Sequence, residues 1–289
     1  MWQRLTIYAE LVRLDRPIGI WLLLWPTLWA LWFAADGLPP LPILGIFVLG
    51  TVLMRSAGCA INDFADRHWD GEVERTAARP LARGAIAPWE AVAVFIVLSL
   101  CALLLILPLN SLTRFLALPA AALAASYPFA KRWTHLPQAH LGLAFAWGIP
   151  MAFAAVQGQV PTLAWWLMLA TVLWTIVYDT FYAMVDRDDD LKVGIRSTAI
   201  LFGAYDRLWT ALLQVGVLGV MLGVGLVTER GWAYWLGLAL AGLSAARQQW
   251  RIRGRERSAC LQAFKDNHHF GAAIFCGLAL DHALESGLA

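Results

Sequence analysis

Long apolar runs separated by shorter polar connections set the pattern of this chain. The runs fall at roughly 18–35, 42–60, 90–107, 113–128, 139–156, 163–185, 208–227, 232–246 and 270–285. Most are near the ~20 residues a helix needs to cross a hydrocarbon core. Backbone groups in lipid must be paired within their own segment, so runs of this length predict helices rather than strands. The pattern predicts an all-α polytopic membrane protein with nine transmembrane helices. Ahead of the first run, Leu5, Tyr8, Leu11 and Val12 recur at helical spacing, with Arg4, Glu10 and Arg13 on the remaining positions. This predicts a short interfacial helix over 2–14 lying on the membrane, although a solvated helix would show the same spacing.

Composition agrees. Of 289 residues, 60% are hydrophobic and 15% charged, against about a quarter charged in soluble domains. Charge placement fixes the orientation. With a cytoplasmic N-terminus and alternating spans, 20 of the 22 Lys and Arg residues lie inside; only Arg114 and Arg230 lie outside. That asymmetry is the positive-inside pattern. Sixteen of the 20 acidic residues are inside as well, so one end of the bundle holds nearly all the ionisable chemistry. The inner connections, roughly 61–89, 186–207 and 247–269, are long enough to act as caps. Cys59, Cys101, Cys260 and Cys276 fall in or beside apolar runs without C-x-x-C spacing, and read as small hydrophobes. No cleavable signal peptide is expected.

Two acidic stretches carry the candidate chemistry. The first is N-D-F-A-D-R-H-W-D, Asn62 to Asp70, at the inner end of the second run. As a helix it places Asn62, Asp66 and Asp70 at i, i+4 and i+8 on one face, with Asp63 at its edge. Like charges so stacked repel unless a cation joins them. Hard oxygen ligands suit Mg²⁺, which takes one or two carboxylates and completes its shell with substrate phosphates. The second is Y-D-T-F-Y-A-M-V-D-R-D-D-D, Tyr178 to Asp190, at the inner end of the sixth run. Asp179, Asp186 and Asp190 share a face with Tyr182, while Asp188 and Asp189 point elsewhere. A carboxylate at Asp179, near the end of a span, is costly and a functional candidate. Either stretch alone could be a solvated acidic helix end. Two at the same membrane face predict a paired metal–diphosphate site, with a lipid-tailed diphosphate as its ligand. Arg67, Arg75, Arg79, Arg83, Lys192 and Arg196 are candidate cations for the leaving group, each equally explicable by the charge asymmetry. A transporter or Mg²⁺ channel would favour ionisable groups through the midplane, and these spans are nearly free of them.

The first stretch resembles the N-D-x-x-D-x-x-x-D motif of the UbiA family of intramembrane aromatic prenyltransferases, and the second resembles that family's other aspartate-rich motif. L-D-R-P-I-G-I-W-L-L-L-W-P-T at 14–27, S-Y-P-F-A-K-R-W-T-H-L-P-Q at 126–138 and K-V-G-I-R-S-T-A-I-L-F-G at 192–203 are similar to its 4-hydroxybenzoate branch. The likeness runs collinearly to about residue 205. It implies one domain over 1–289, with nine helices around a central cavity capped by cytoplasmic loops, in a bacterial inner membrane. It implies Mg²⁺-dependent transfer of a polyprenyl group from polyprenyl diphosphate to 4-hydroxybenzoate, ortho to the hydroxyl, in ubiquinone biosynthesis. Siblings acting on naphthoate, homogentisate or haem share the donor chemistry. Carried over by position, Asn62, Asp63, Asp66 and Asp70 form one metal cluster and Asp186 and Asp190 the other. Asp179 binds metal, orients a ligand or assists phenol deprotonation. Arg132 matches the arginine proposed for the benzoate carboxylate, with Lys131 its alternative. Arg67, Arg79, Lys192, Arg196, Tyr178 and Tyr182 complete the substrate-binding set. His268 and His269 are read as interfacial. Partners are the two substrates and the bilayer, with no nucleic acid and no obligate protein.

Overall fold

The computed structural model describes residues 2–287; positions 1, 288 and 289 of the expected single domain lie outside the described residues. Among those described there is no strand, and the chain is a succession of helices. They are α1 (Trp2–Leu11), α2 (Ile18–Ala35), α3 (Leu41–Asp66), α4 (Pro88–Ile106), α5 (Ser111–Ala130) and α6 (Pro137–Ala146). Then follow α7 (Gly148–Gln157), α8 (Thr162–Val193), α9 (Thr198–Phe202), α10 (Asp206–Val227), α11 (Trp232–Arg251) and α12 (Arg257–Glu285).

Six segments are long and apolar enough to cross a membrane: α2, α3, α4, α6 with α7, α8, and α9 with α10. The remaining expected spans, at 113–128, 232–246 and 270–285, are helical too, within α5, α11 and α12, but their polar residues keep them outside that group. All three pack into the same bundle. The expected span at 139–156 is broken at Trp147. Pro150 cannot donate to the Ala146 carbonyl and its ring crowds that turn, which interrupts the helix there.

The inner connections are more helical than loops. The α8 helix runs unbroken for 32 residues, about 48 Å at 1.5 Å per residue, against a hydrocarbon core of about 30 Å. Counted from Thr162, that thickness is spent by about Tyr182, so the helix carries Asp186 to Asp190 beyond it while Tyr178 and Asp179 remain within that length. The α3 helix ends at Asp66, and residues 67–87 form successive turns in which Val73, Thr76 and Leu81 are buried. The α11 and α12 helices shorten the third connection to 252–256.

An aromatic core ties α2, α8 and α12 together. Trp174 lies 5.3 Å from Trp29 and 5.5 Å from Phe270 between ring centroids. The buried indoles donate to Asn267 Oδ1 at 2.8 Å and to the Gly271 carbonyl at 3.2 Å, so neither N–H is orphaned. The α11 and α12 helices approach closely through glycines. A Cβ on Gly237 would fall 2.6 Å from the Ala273 carbonyl, and one on Gly277 2.8 Å from the Ala233 carbonyl. On the inner side, fully buried Asp206 is paired by Arg187 at 2.5 Å and by Arg255 at 2.9 Å. That knot joins α8, α10 and the turn before α12. The α1 helix is held at the first turn of α4, where Arg4 reaches Glu90 at 2.8 Å and Tyr8 donates to the same carboxylate. Leu11 packs under it against Ala60, Leu81, Ile86 and Ala91. The segment expected on the membrane surface is thus docked on the protein.

Candidate active site

A cavity of about 1560 Å³ occupies the middle of the bundle. The α3 helix contributes a stripe at helical spacing: Phe47, Thr51, Arg55, Asn62 and Asp66. The α8 helix contributes Tyr178, Asp179, Tyr182, Asp186 and Asp190. The turns after α3 add Asp70, Arg75 and Arg79. Away from this polar end the walls are apolar, with Ile96, Leu100 and Leu103 of α4 and Ala117, Leu118 and Ala121 of α5. The cavity also reaches Arg114, near the opposite end of the bundle.

The first acidic row is built partly as expected. Asn62 Nδ2 donates to Asp66 Oδ2 at 3.1 Å, the i, i+4 contact of one helical face. Tyr127 donates to Asn62 Oδ1 at 3.4 Å. Regular helix stops at Asp66, so Asp70 is not on a continuing helix. A last turn, with the Asp70 amide on the Asp66 carbonyl at 3.0 Å, keeps it facing the same space.

Every carboxylate of this row has a basic partner. Lys131 pairs with Asp66. Arg79 Nη1 donates to both oxygens of Asp70, at 2.9 and 2.8 Å, and lies 3.2 Å from Asp63. Arg13 reaches Asp63 at 2.5 Å. Burial raises the Asp70 carboxyl above its ordinary range, and the Arg79 charge pulls the other way. Burial also opposes the Arg13 charge, but Asp63 beside it leaves the guanidinium held above its usual range.

In the second row, Arg75 Nε donates to both Asp186 oxygens at 3.0 Å and Nη2 to Oδ2 at 2.5 Å. It also donates to the Tyr182 hydroxyl and lies over that ring, 4.3 Å from its centroid. Burial works against the Arg75 charge, yet Tyr182 and Asp186 hold it above its ordinary range. Among the described residues no hydrogen bond or ion pair reaches the carboxylates of Asp179 or Asp190. Tyr178 is buried and donates to Thr175.

Three expected site residues do not line the cavity. Arg67 folds back on the Phe64 carbonyl at 2.7 Å. Lys192 is exposed and pairs with Asp189 at 3.2 Å. Arg132 donates to the Ala65 carbonyl at 2.6 Å and stacks over Trp69 and Phe129, so it braces the end of α3 from outside. Arg196 does line the cavity while donating to the Trp133 carbonyl. Its neighbour in the bundle, Lys131, sits inside.

A family model described as the UbiA prenyltransferase family matches residues 23–274. The chain belongs to the UbiA prenyltransferase family. A curated relative from Ralstonia nicotianae, described as a 4-hydroxybenzoate octaprenyltransferase, is 57% identical over 281 residues, covering 97% of both chains. Among solved structures, a UbiA homologue from Aeropyrum pernix superposes with a TM-score of 0.80 at 25% identity, covering 91% of this chain and 97% of that one. A UbiA homologue from Archaeoglobus fulgidus, described as bound to GPP and Mg²⁺, has a TM-score of 0.69 at 17% identity, covering 93% and 99%.

The UbiA site fits a divalent cation. Asp63 Oδ2 and Asp66 Oδ1 are buried without a hydrogen-bond partner, which is costly unless a cation or donor meets them. No three acidic, His or Cys side chains converge to hold an ion by themselves among the described residues. That matches Mg²⁺ held by one or two carboxylates with phosphate oxygens completing the shell.

Two groups of this UbiA cavity escape a reading of motifs. Arg55 lies within the α3 span, lines the cavity, and has a buried Nε without a partner. Its signal was present: an arginine inside an apolar run, seven residues before Asn62, is expensive and functional by default. His268 also lines the cavity, with Nδ1 accepting from Trp25 Nε1 at 3.1 Å. An indole only donates, so this contact places the neutral imidazole's proton on Nε2.

Proposed function

We propose that this chain is a 4-hydroxybenzoate polyprenyltransferase, moving the polyprenyl group of a polyprenyl diphosphate onto the ring carbon ortho to the acceptor's hydroxyl, in ubiquinone biosynthesis. The observation that carries the reading is two acidic rows, on α3 and α8, facing one cavity whose walls along α4 and α5 are mostly apolar. Its high identity to a relative so described supports the acceptor. Mg²⁺ would be held by one or two carboxylates from the row Asn62, Asp63, Asp66 and Asp70 and by Asp186 and Asp190 opposite, with diphosphate oxygens completing its shell. When bound, Mg²⁺ neutralises charge on the diphosphate and on the leaving group. Arg75, Arg79, Lys131 and Arg196 take the remaining phosphate oxygens. The prenyl tail lies along the small and apolar side chains of α4 and α5.

Below the diphosphate, Arg55 sits seven residues before Asn62, and Asp179 seven before Asp186, about 10 Å deeper on facing helices at 1.5 Å per residue. Arg55 takes the acceptor's carboxylate by its planar fork. Asp179 accepts the phenol proton. The prenyl C1–O bond breaks, the ortho carbon forms the new C–C bond, and loss of its hydrogen as a proton restores the aromatic ring. Tyr178 and Phe264 line the space and exclude water from the allylic cation, whose charge favours ring faces. The protein sits in the bacterial inner membrane with a cytoplasmic N-terminus and the site at the cytoplasmic end. The test is incubation of purified protein with 4-hydroxybenzoate, octaprenyl diphosphate and Mg²⁺, followed by mass spectrometry. A prenylated benzoate is the expected product; release of diphosphate without it, or a product only from naphthoate or homogentisate, overturns the acceptor.

A further inference from the structure

The basic residues around the acidic rows come from elements other than α3 and α8. Lys131 on Asp66 stands at the end of α5, and Arg75 on Asp186 and Arg79 on Asp70 belong to the turns after α3. Arg79 and Arg75 engage both oxygens of Asp70 and of Asp186, so neither carboxylate is free for a metal, while Lys131 holds one oxygen of Asp66 and sets its charge beside the other. The same cations are the ones best placed for phosphate oxygens. On the metal–diphosphate reading above, we propose that Lys131, Arg75 and Arg79 are exchangeable counter-ions. Each neutralises a metal-site carboxylate in the empty site and turns to diphosphate when the metal takes that carboxylate.

The exchange has a thermodynamic consequence. Metal alone must evict Arg79 or Arg75 from its carboxylate, or share Asp66 with the Lys131 charge, and so leaves a partly buried cation without full pairing, a costly state. Diphosphate alone must draw the cation away and strand the carboxylate. Arriving together, the two ligands re-pair every charge. Metal and diphosphate therefore reinforce each other, by the same factor in both directions, roughly 5- to 150-fold for typical couplings. Arg132, bonded to a backbone carbonyl outside the cavity, takes no part.

Manganese(II) binding to the full-length protein in nanodiscs, read by electron paramagnetic resonance, tests this without turnover. The expected result is opposite in sign for the two ligands. Lys131→Met and Arg75→Met each bind Mn²⁺ alone about tenfold tighter, and bind a non-hydrolysable prenyl thiolodiphosphate at saturating Mg²⁺ about tenfold more weakly, within that coupling range. Arg132→Met changes neither. If a Met variant lacks a cooperative melting transition, Arg75→Lys, which keeps the charge but loses the fork, shifts both affinities in the same directions by less. Unchanged or weaker Mn²⁺ binding in these variants overturns the exchange. Absence of any Mn²⁺ signal in the unsubstituted protein, even with thiolodiphosphate, overturns the metal reading and the exchange with it.

Discussion

The guanidinium of Arg55 lies against Gly19: a methyl carbon built there would fall 2.2 Å from Nε and 2.4 Å from Nη2. Glycine on α2 is what lets the arginine of α3 reach the cavity. Gly19→Ala is expected to displace Arg55, with melting temperature little changed. A misplacement of about 1 Å at a substrate-positioning group can cost up to ~100-fold. The loss is expected in KM for 4-hydroxybenzoate rather than for the prenyl diphosphate. Steady-state kinetics with each substrate varied in turn check it.

Arg55 and Arg132 make opposed predictions. Arg55→Met removes the only donor fork placed on the acceptor's carboxylate in the proposed arrangement, and truncating one partner of a buried charge pair costs about 2–5 kcal/mol. Acceptor KM is expected to rise by at least tenfold. Arg132→Met unbraces the end of α3 and is expected to lower stability slightly with acceptor KM unchanged. A reversed outcome would restore Arg132 as the acceptor's partner.

Asp190 and Asp206 separate catalysis from folding. Asp190 is buried without a cation of its own, so Asp190→Asn removes an uncompensated carboxylate. Its melting temperature is expected to stay level or rise while kcat falls ~100-fold or more, the scale of losing one electrostatic contact in a transition state. Asp206 is fully buried but gripped by two arginines away from the cavity. Asp206→Asn leaves them underpaired and is expected to cost about 3–5 kcal/mol of stability, with KM values unchanged in whatever folds. Melting curves and kinetics on the same preparations decide both.

Removing metal with a chelator is expected to abolish turnover without unfolding the bundle. The carboxylates of Asp63, Asp66, Asp70 and Asp186 already have basic partners, so little repulsion is released. Circular dichroism through a melt, before and after EDTA, checks the fold, and added Mg²⁺ is expected to restore activity.

The membrane made much of this readable. Lipid demands paired backbone over about 20 residues, so α2, α3, α4 and α8 stand out as apolar runs. The acidic rows stood out because carboxylates are scarce beside such runs. What sequence could not resolve was direction. Arg67 and Lys192 lie within the acidic neighbourhoods yet turn away, because one step along a helix rotates a side chain by about 100°. Lys131 and Arg132 are adjacent, and only folding shows that the first faces Asp66 and the second the Ala65 carbonyl. Arg13 lies far along the chain from Asp63 and meets it only through the docking of the N-terminal segment. His268 had no motif around it; Trp25, 243 positions away, gives it its place.

The unbroken course of α8 sets a constraint of its own. Asp179, Asp186 and Asp190 ride on one rigid rod whose lower part is anchored among Trp174 and its neighbours. Inserting a single residue between Trp174 and Asp179 would swing all three acids by about 100° and lift them about 1.5 Å. The enzyme thus measures depth in the bilayer with the same helix that holds its acids.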